Sequence, residues 1–171
     1  MPKSLPEVHL RAIEPEDLDA LYAIENDHKI WNIGVTNVPY SRYVLHDYIA
    51  HSRNDIYADG QVRLIIEAEG RGVVGVADLT NFDPKNNRAE IGIIIMEPFR
   101  HQGYAVATLK EMKRYAADIL HLHQLYAVIA CSNTPAIKMF KDVGVSADIL
   151  LHQWLYDGKK YCDARLLQTF L

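Results

Sequence analysis

Residues 88–130 constrain the fold more than any other part of the chain. An apolar, isoleucine-rich run from Arg88 to Met96 passes through Glu97-Pro98-Phe99 into Arg100-His101-Gln102-Gly103-Tyr104-Ala105. The pattern then changes period. Ala105, Leu109, Met112, Tyr115, Ala116 and Ile119 share one helical face, and Lys110, Glu111, Lys113, Arg114 and Asp118 share the other. A second β-type run follows from Leu125 to Ala130. A strand that reaches its neighbour through a helix of this length returns parallel to it, with the crossover packed on the sheet. The chain must therefore contain a locally parallel strand pair.

The flanking segments read as antiparallel. Val62 to Ala68, Val73 to Phe82 and Arg88 to Met96 are β-rich and are separated by Glu69-Gly70-Arg71-Gly72 and Asp83-Pro84-Lys85-Asn86-Asn87, both suited to hairpin turns. Pro135 opens a short helix that Gly144 stops, and Ile149 to Tyr156 and Tyr161 to Phe170 flank the hairpin signal Asp157-Gly158. Near the start, His9 to Ile13 reads as a strand, Pro15 with Glu16 and Asp17 starts a helix carrying Leu18, Leu21, Tyr22 and Ile24, and Ser41 caps a second with Val44, Leu45, Tyr48 and Ile49. Glu25 to Tyr40, with Gly34 and Pro39, is irregular and reads as a mobile surface element, the kind of place where a binding pocket gains specificity. The fold class expected is α/β: a mixed, mostly antiparallel sheet with helices on both faces.

Composition narrows the setting. A chain of 171 residues is long enough for one compact domain, taken as residues 1–171, without disulfides or metal. Cys131 and Cys162 are too few for a disulfide framework, and nothing at the start resembles a secretion signal, so a reducing cytoplasm is expected. No apolar run approaches the ~20 residues of a membrane span. The net charge of -4 gives no general attraction to nucleic acid and suits a cationic acceptor. The histidines show no metal-ligand spacing, so no metal is expected.

The turn at Arg100 to Ala105 has the makings of an anion cradle. A helix N-terminus presents amide groups without intrahelical partners, and its dipole favours negative charge. Gly103 would let backbone approach a diphosphate, with Arg100, Gln102 and Tyr104 offering amides or charge; His101 reads as a solvated loop residue. The Arg-x-x-Gly-x-Ala spacing at Arg100, Gly103 and Ala105 is followed by Asn133-Thr134-Pro135-Ala136, which leads through Phe140 and Lys141 to Gly144. Together these motifs resemble, in order and separation, the GNAT superfamily of acetyl-CoA-dependent N-acetyltransferases. The likeness runs over nearly the whole chain and is nearest the bacterial spermidine acetyltransferase and ribosomal-protein N-terminal acetyltransferase branch. Arg88-Ala89-Glu90 leans to the spermidine side.

The resemblance implies acetyl-CoA as cosubstrate and direct acetyl transfer to a primary amine. It implies a splayed central strand pair, here Arg88 to Met96 and Leu125 to Ala130, that admits the pantetheine arm against the backbone of Ile93, Ile94 and Ile95. Asn133, left free if Thr134 caps its helix, and Ala136 would meet the same cofactor. An alkylammonium has a pKa of about 10, so its nitrogen must lose a proton before it attacks. Glu90 is the first candidate base and Asp78 the second. Phe140 occupies a place where many family members carry a proton-donating Tyr, and is expected to act as an apolar wall. Asn81 stands where the spermidine branch has an acidic residue. The acceptor expected is a small polyamine-like amine. The alternatives are a protein N-terminus, or a CoA-binding sensor without catalysis, and a homo-oligomer is compatible with either.

Overall fold

The computed structural model describes residues 4–30 and 38–171. Among the described residues, seven strands form one sheet in the order β1-β2-β3-β4-β5-β7-β6. They are β1 (Val8–Arg11), β2 (Val62–Ala68), β3 (Gly72–Asp83), β4 (Arg88–Ile95), β5 (Gln124–Ala130), β6 (Ala147–Tyr156) and β7 (Tyr161–Phe170). Only β4 and β5 pair in parallel; the other neighbours are antiparallel. Five α-helices accompany them: α1 (Leu18–Glu25), α2 (Arg42–His51), α3 (Ile56–Asp59), α4 (Tyr104–Asp118) and α5 (Thr134–Val143). The expected mixed sheet is present, and α4 is the crossover that makes β4 and β5 parallel.

Strand alternation places the helices on both faces. On β2, Leu64 and Ile66 belong to the core under α4 and α5, whereas Ile65 belongs to a second core with Leu21, Ile24, Leu45 and Val76. Both faces of the central strands are therefore buried, which explains their nearly continuous apolar sequence. Removing a Leu, Ile or Met side chain of this kind from water stabilises the fold by about 1.5–3 kcal/mol. The first strand is tied to the first helix by ions: Arg11 donates to both oxygens of the buried Asp17, at 2.7 and 2.9 Å. The Arg11 bonds hold the Asp17 carboxyl below its ordinary range, with burial working in the opposite sense.

Three local readings change. Strand β1 runs from Val8 to Arg11, its last rung with β2 being Arg11↔Ile65, and does not reach Ile13. Helix α3 was absent from the pattern; Asp55 caps it by accepting from the Tyr57 amide at 2.9 Å. Ile119 lies beyond the last turn of α4 and is 65% exposed, so the buried stripe consists of Tyr104, Ala107, Thr108, Leu109, Met112 and Ala116.

Candidate active site

The parallel pair opens into a fork. Strands β4 and β5 share only the rungs Arg88↔Gln124, Ala89↔Leu125 and Glu90↔Tyr126, while β5 stays paired with β7 up to Ala130↔Ala164. Beyond Glu90, β4 is thus held by β3 alone among the described residues. The Met96 amide donates to the Val74 carbonyl at 2.9 Å, so by alternation the backbone groups of Gly92 and Ile94 face β3, and those of Ile91, Ile93 and Ile95 face the gap. The Arg100 Nε donates to the Ile95 carbonyl at 2.8 Å. What remains for an extended guest is the Ile93 amide and carbonyl and the Ile95 amide. Ile94 instead sends its side chain into the core under α1 and α2 and its backbone toward β3.

The loop between β4 and α4 is closely packed and bonded. After one 3-10 turn at Glu97–Phe99, His101 and Gly103 take left-handed conformations with φ of 61° and 92°. Gly103 is the N-cap of α4, and Tyr104 is buried edge-on against Phe99 with ring centroids 5.9 Å apart. The amides of Tyr104, Ala105 and Val106 head the helix, ahead of the first intrahelical bond, from Ala107 to the Gly103 carbonyl. A Cβ on Gly103 would come within 3.1 Å of Pro6 Cδ. The backbone and the packing of Leu5 and Pro6 therefore demand this glycine before any phosphate does.

Arg100 has another task than the one expected from its place in the motif. Its backbone amide bonds the Glu97 carbonyl at 3.3 Å, and its guanidinium reaches the Ile95 carbonyl and, at 3.3 Å, Asp27. It braces the loop against β4. Gln102 likewise turns its side-chain amide to the Pro98 carbonyl at 2.7 Å. Asn133, not Thr134, is the N-cap of α5: its Oδ1 accepts from the Ala136 amide at 3.3 Å. Only the Nδ2 half of its amide is left for a ligand. Phe140 is buried in the α4/α5 core, and Ala136 packs partly buried against that core.

The opposite face of the fork carries the titratable groups. Glu90, at the last rung, accepts from Asn81 Nδ2 at 2.8 Å; Asn81 is itself left-handed, at the irregularity in the β3/β4 register. Across the rung stands Tyr126, whose phenol is pushed up by burial and then by the charge of Glu90, so it keeps its proton through neutral pH. Asp78 pairs with Gly92 in register and is gripped at both oxygens by Arg63, at 2.6 and 2.9 Å. Arg63 also bonds Glu25 and lies 6.0 Å from the Tyr48 ring centroid. Burial opposes the Arg63 charge, but Asp78 and Glu25 outweigh it and hold the guanidinium above its ordinary range. Asp78 is thereby an anchored anion, while Glu90 is the carboxylate at the fork.

Three members of this face escaped the sequence reading. Arg63 is one polar residue in a β-run, and its partners lie 15 and 38 residues away. Tyr126 reads as an ordinary strand aromatic until β4 is laid beside it. Gly92 carried a usable signal, since a glycine inside a strand often marks a close approach of another molecule.

Comparison with known proteins agrees with this geometry. The model of the acetyltransferase (GNAT) domain matches residues 7–146. Spermidine N(1)-acetyltransferase of Escherichia coli K12 is 28% identical over 155 residues, covering 89% of this chain and 80% of the relative. The Vibrio cholerae enzyme of the same name is 24% identical over 152 residues, covering 88% and 86%. In three dimensions, the crystal structure of spermidine N-acetyltransferase from Vibrio cholerae in complex with CoA and spermine superimposes with a TM-score of 0.83 at 24% identity, covering 95% of each chain. A domain match over most of the chain, on a sheet that forks beside a helix N-terminus, makes this protein a member of the GNAT acetyltransferases, acyltransferases that draw their acetyl group from acetyl-CoA.

Proposed function

We propose that the protein acetylates a small, polyamine-like primary amine by direct transfer from acetyl-CoA. The observation that carries this reading is Glu90, placed by the last β4/β5 rung where the fork opens and facing the side away from α4. The names of the relatives, spermidine N-acetyltransferases, point to the same class of acceptor. The amides heading α4 would hold the diphosphate, and the Ile93 and Ile95 backbone would hold the pantetheine amides as an added strand. The Asn133 Nδ2 would approach the same arm, and Phe140 and Ala136 would line it with apolar surface.

The chemistry then follows from the two faces of the fork. The ammonium gives a proton to Glu90, directly or through water, and the freed nitrogen lone pair attacks the thioester carbonyl carbon. The C–N bond forms, the C–S bond breaks with its electron pair leaving on sulfur, and the second nitrogen proton passes through water to the thiolate, giving the neutral amide and the free thiol. Phe140 has no proton to give. A thiol pKa of roughly 8 to 9 makes the thiolate a fair leaving group, and water completes the transfer. The Asp78–Arg63–Glu25 group, with one positive and two negative members, favours a cation beside the reacting amine.

Free thiol release from acetyl-CoA, measured across linear polyamines, monoamines and short peptides, tests the acceptor. Turnover with polyamines and none with peptides supports the reading. Peptide acetylation alone would move it to a protein N-terminus, and intact acetyl-CoA binding without turnover to a sensor.

The cofactor loop has its own test. His101 is exposed and left-handed, a conformation that Asp and Asn accept more readily than most residues, so the fold should survive either exchange. His101→Asp should weaken acetyl-CoA binding about tenfold or more relative to His101→Asn, because it sets a carboxylate against the diphosphate. The gap should narrow as salt rises. Calorimetry giving equal affinities for the two variants would move the diphosphate away from this loop.

A further inference from the structure

Gly92 sits in the middle of a central strand, and nothing among the described residues requires it to be glycine. Its φ is not in the left-handed region. Among the described residues, a Cβ there would meet a single atom within 4 Å, the Asp78 Cβ at 3.8 Å, an ordinary contact. Gly75 on β3 shows the contrast, since its Cβ would lie 2.1 Å from the Ile94 carbonyl oxygen and the fold itself forbids it. Glycine weakens a strand interior, so a position whose described neighbours leave room for a side chain, and which still has none, suits the close approach of a bound molecule.

The surroundings say what that is. Gly92 is exposed although Ile91 before it is buried. It lies just past the last β4/β5 rung, so no β5 residue pairs beside it. On its face of the sheet Asp78, held by Arg63, lies directly across on β3, while Glu90, bonded by Asn81 of β3, lies two residues earlier on the same strand with Tyr126 across its rung. The result is a notch floored by backbone, bounded by the Asp78 carboxylate across the strand pair and the Glu90 carboxylate along the strand, with the fork at its edge.

We propose that this notch seats the terminal aminomethylene of the acceptor, which makes Gly92 a specificity-determining residue for an unbranched primary alkylamine. The inference rests on the acetyltransferase reading above and deepens it. A CH2–NH3+ group is slim enough to fill the volume of the missing side chain, and its charge meets the neighbouring Asp78 and Glu90 carboxylates. A peptide N-terminus bears a substituent on the carbon next to nitrogen, and a carbonyl oxygen that would face those carboxylates. Both count against it.

The test combines turnover with stability. For Gly92→Ala and Gly92→Val, the KM for 1,5-diaminopentane should rise roughly tenfold or more, and more for Val than for Ala, which is the scale of one methylene's worth of pocket. Acetyl-CoA affinity by calorimetry should stay within about twofold. The thermal midpoint of Gly92→Ala should hold or rise by about 1 to 4 °C, since a strand glycine is being removed. The parent should also prefer 1,5-diaminopentane to alaninamide. Unchanged KM in both folded variants, or a fall in kcat with KM unmoved, overturns the proposal while leaving the acetyltransferase reading intact. Equal use of alaninamide by the parent overturns the proposed selectivity. A parent that turns over no amine at all removes the acetyltransferase reading, and this inference with it.

Discussion

Exchanging Arg63 for Met is expected to lower the unfolding free energy by roughly 3 to 5 kcal/mol, the scale seen when one partner of a buried ion pair is removed. Asp78 would lose both of its guanidinium bonds while its side chain stays 15% exposed. The loss comes from the stranded anion more than from the missing attraction. Arg63→Met combined with Asp78→Asn should therefore recover much of the stability, because a neutral amide tolerates the site better than a carboxylate. Arg63→Lys should fall between, since an ammonium supplies the charge without the planar fork that grips two oxygens. Urea unfolding of the four proteins checks this. A loss below 1 kcal/mol for the single variant would mean that water reaches the cluster and that its charge does little for the site.

What could be read from the chain, and what could not, divides along a physical line. Local period and turn chemistry are written in adjacent residues, so β4, α4 and β5 and the hairpins around them are legible, as is the glycine-bearing loop. The fork is of another kind. It exists because β7 stays paired with β5 along its whole length while β4 stays with β3, and no local pattern encodes that divergence. The resemblance to a known family supplied it. Asn133 shows how fine the margin is: Asn and Thr are both good caps, and Pro135 suits the first turn with either, so only the bond to the Ala136 amide decides between them. That choice removes half of the amide expected to meet the cofactor. Arg100 matches the motif, yet its side chain is drawn inward by the Ile95 carbonyl and Asp27, partners that become neighbours only in the fold.

Glu90→Gln is expected to reduce turnover about 10²- to 10⁴-fold, the usual worth of general base assistance, and most severely at low pH. The change is close to isosteric, and a Gln carbonyl can still accept from Asn81 Nδ2, so the β3/β4 face keeps its arrangement while the proton acceptor disappears. An alkylammonium is protonated below a pKa of about 10, so each step down in pH deepens the need for a base. Acetyl-CoA affinity should be retained, because its proposed contacts lie in the loop and on the Ile93 and Ile95 backbone. A second readout tests the neighbour. Burial and then the Glu90 charge raise the Tyr126 phenol, so removing the charge should let its phenolate form at lower pH, visible as the alkaline absorbance lost in Tyr126→Phe. If the pH-rate profile of Glu90→Gln overlays the parent's, Glu90 is not the base; if it falls as expected while the Tyr126 titration stays in place, the two groups act separately across the rung.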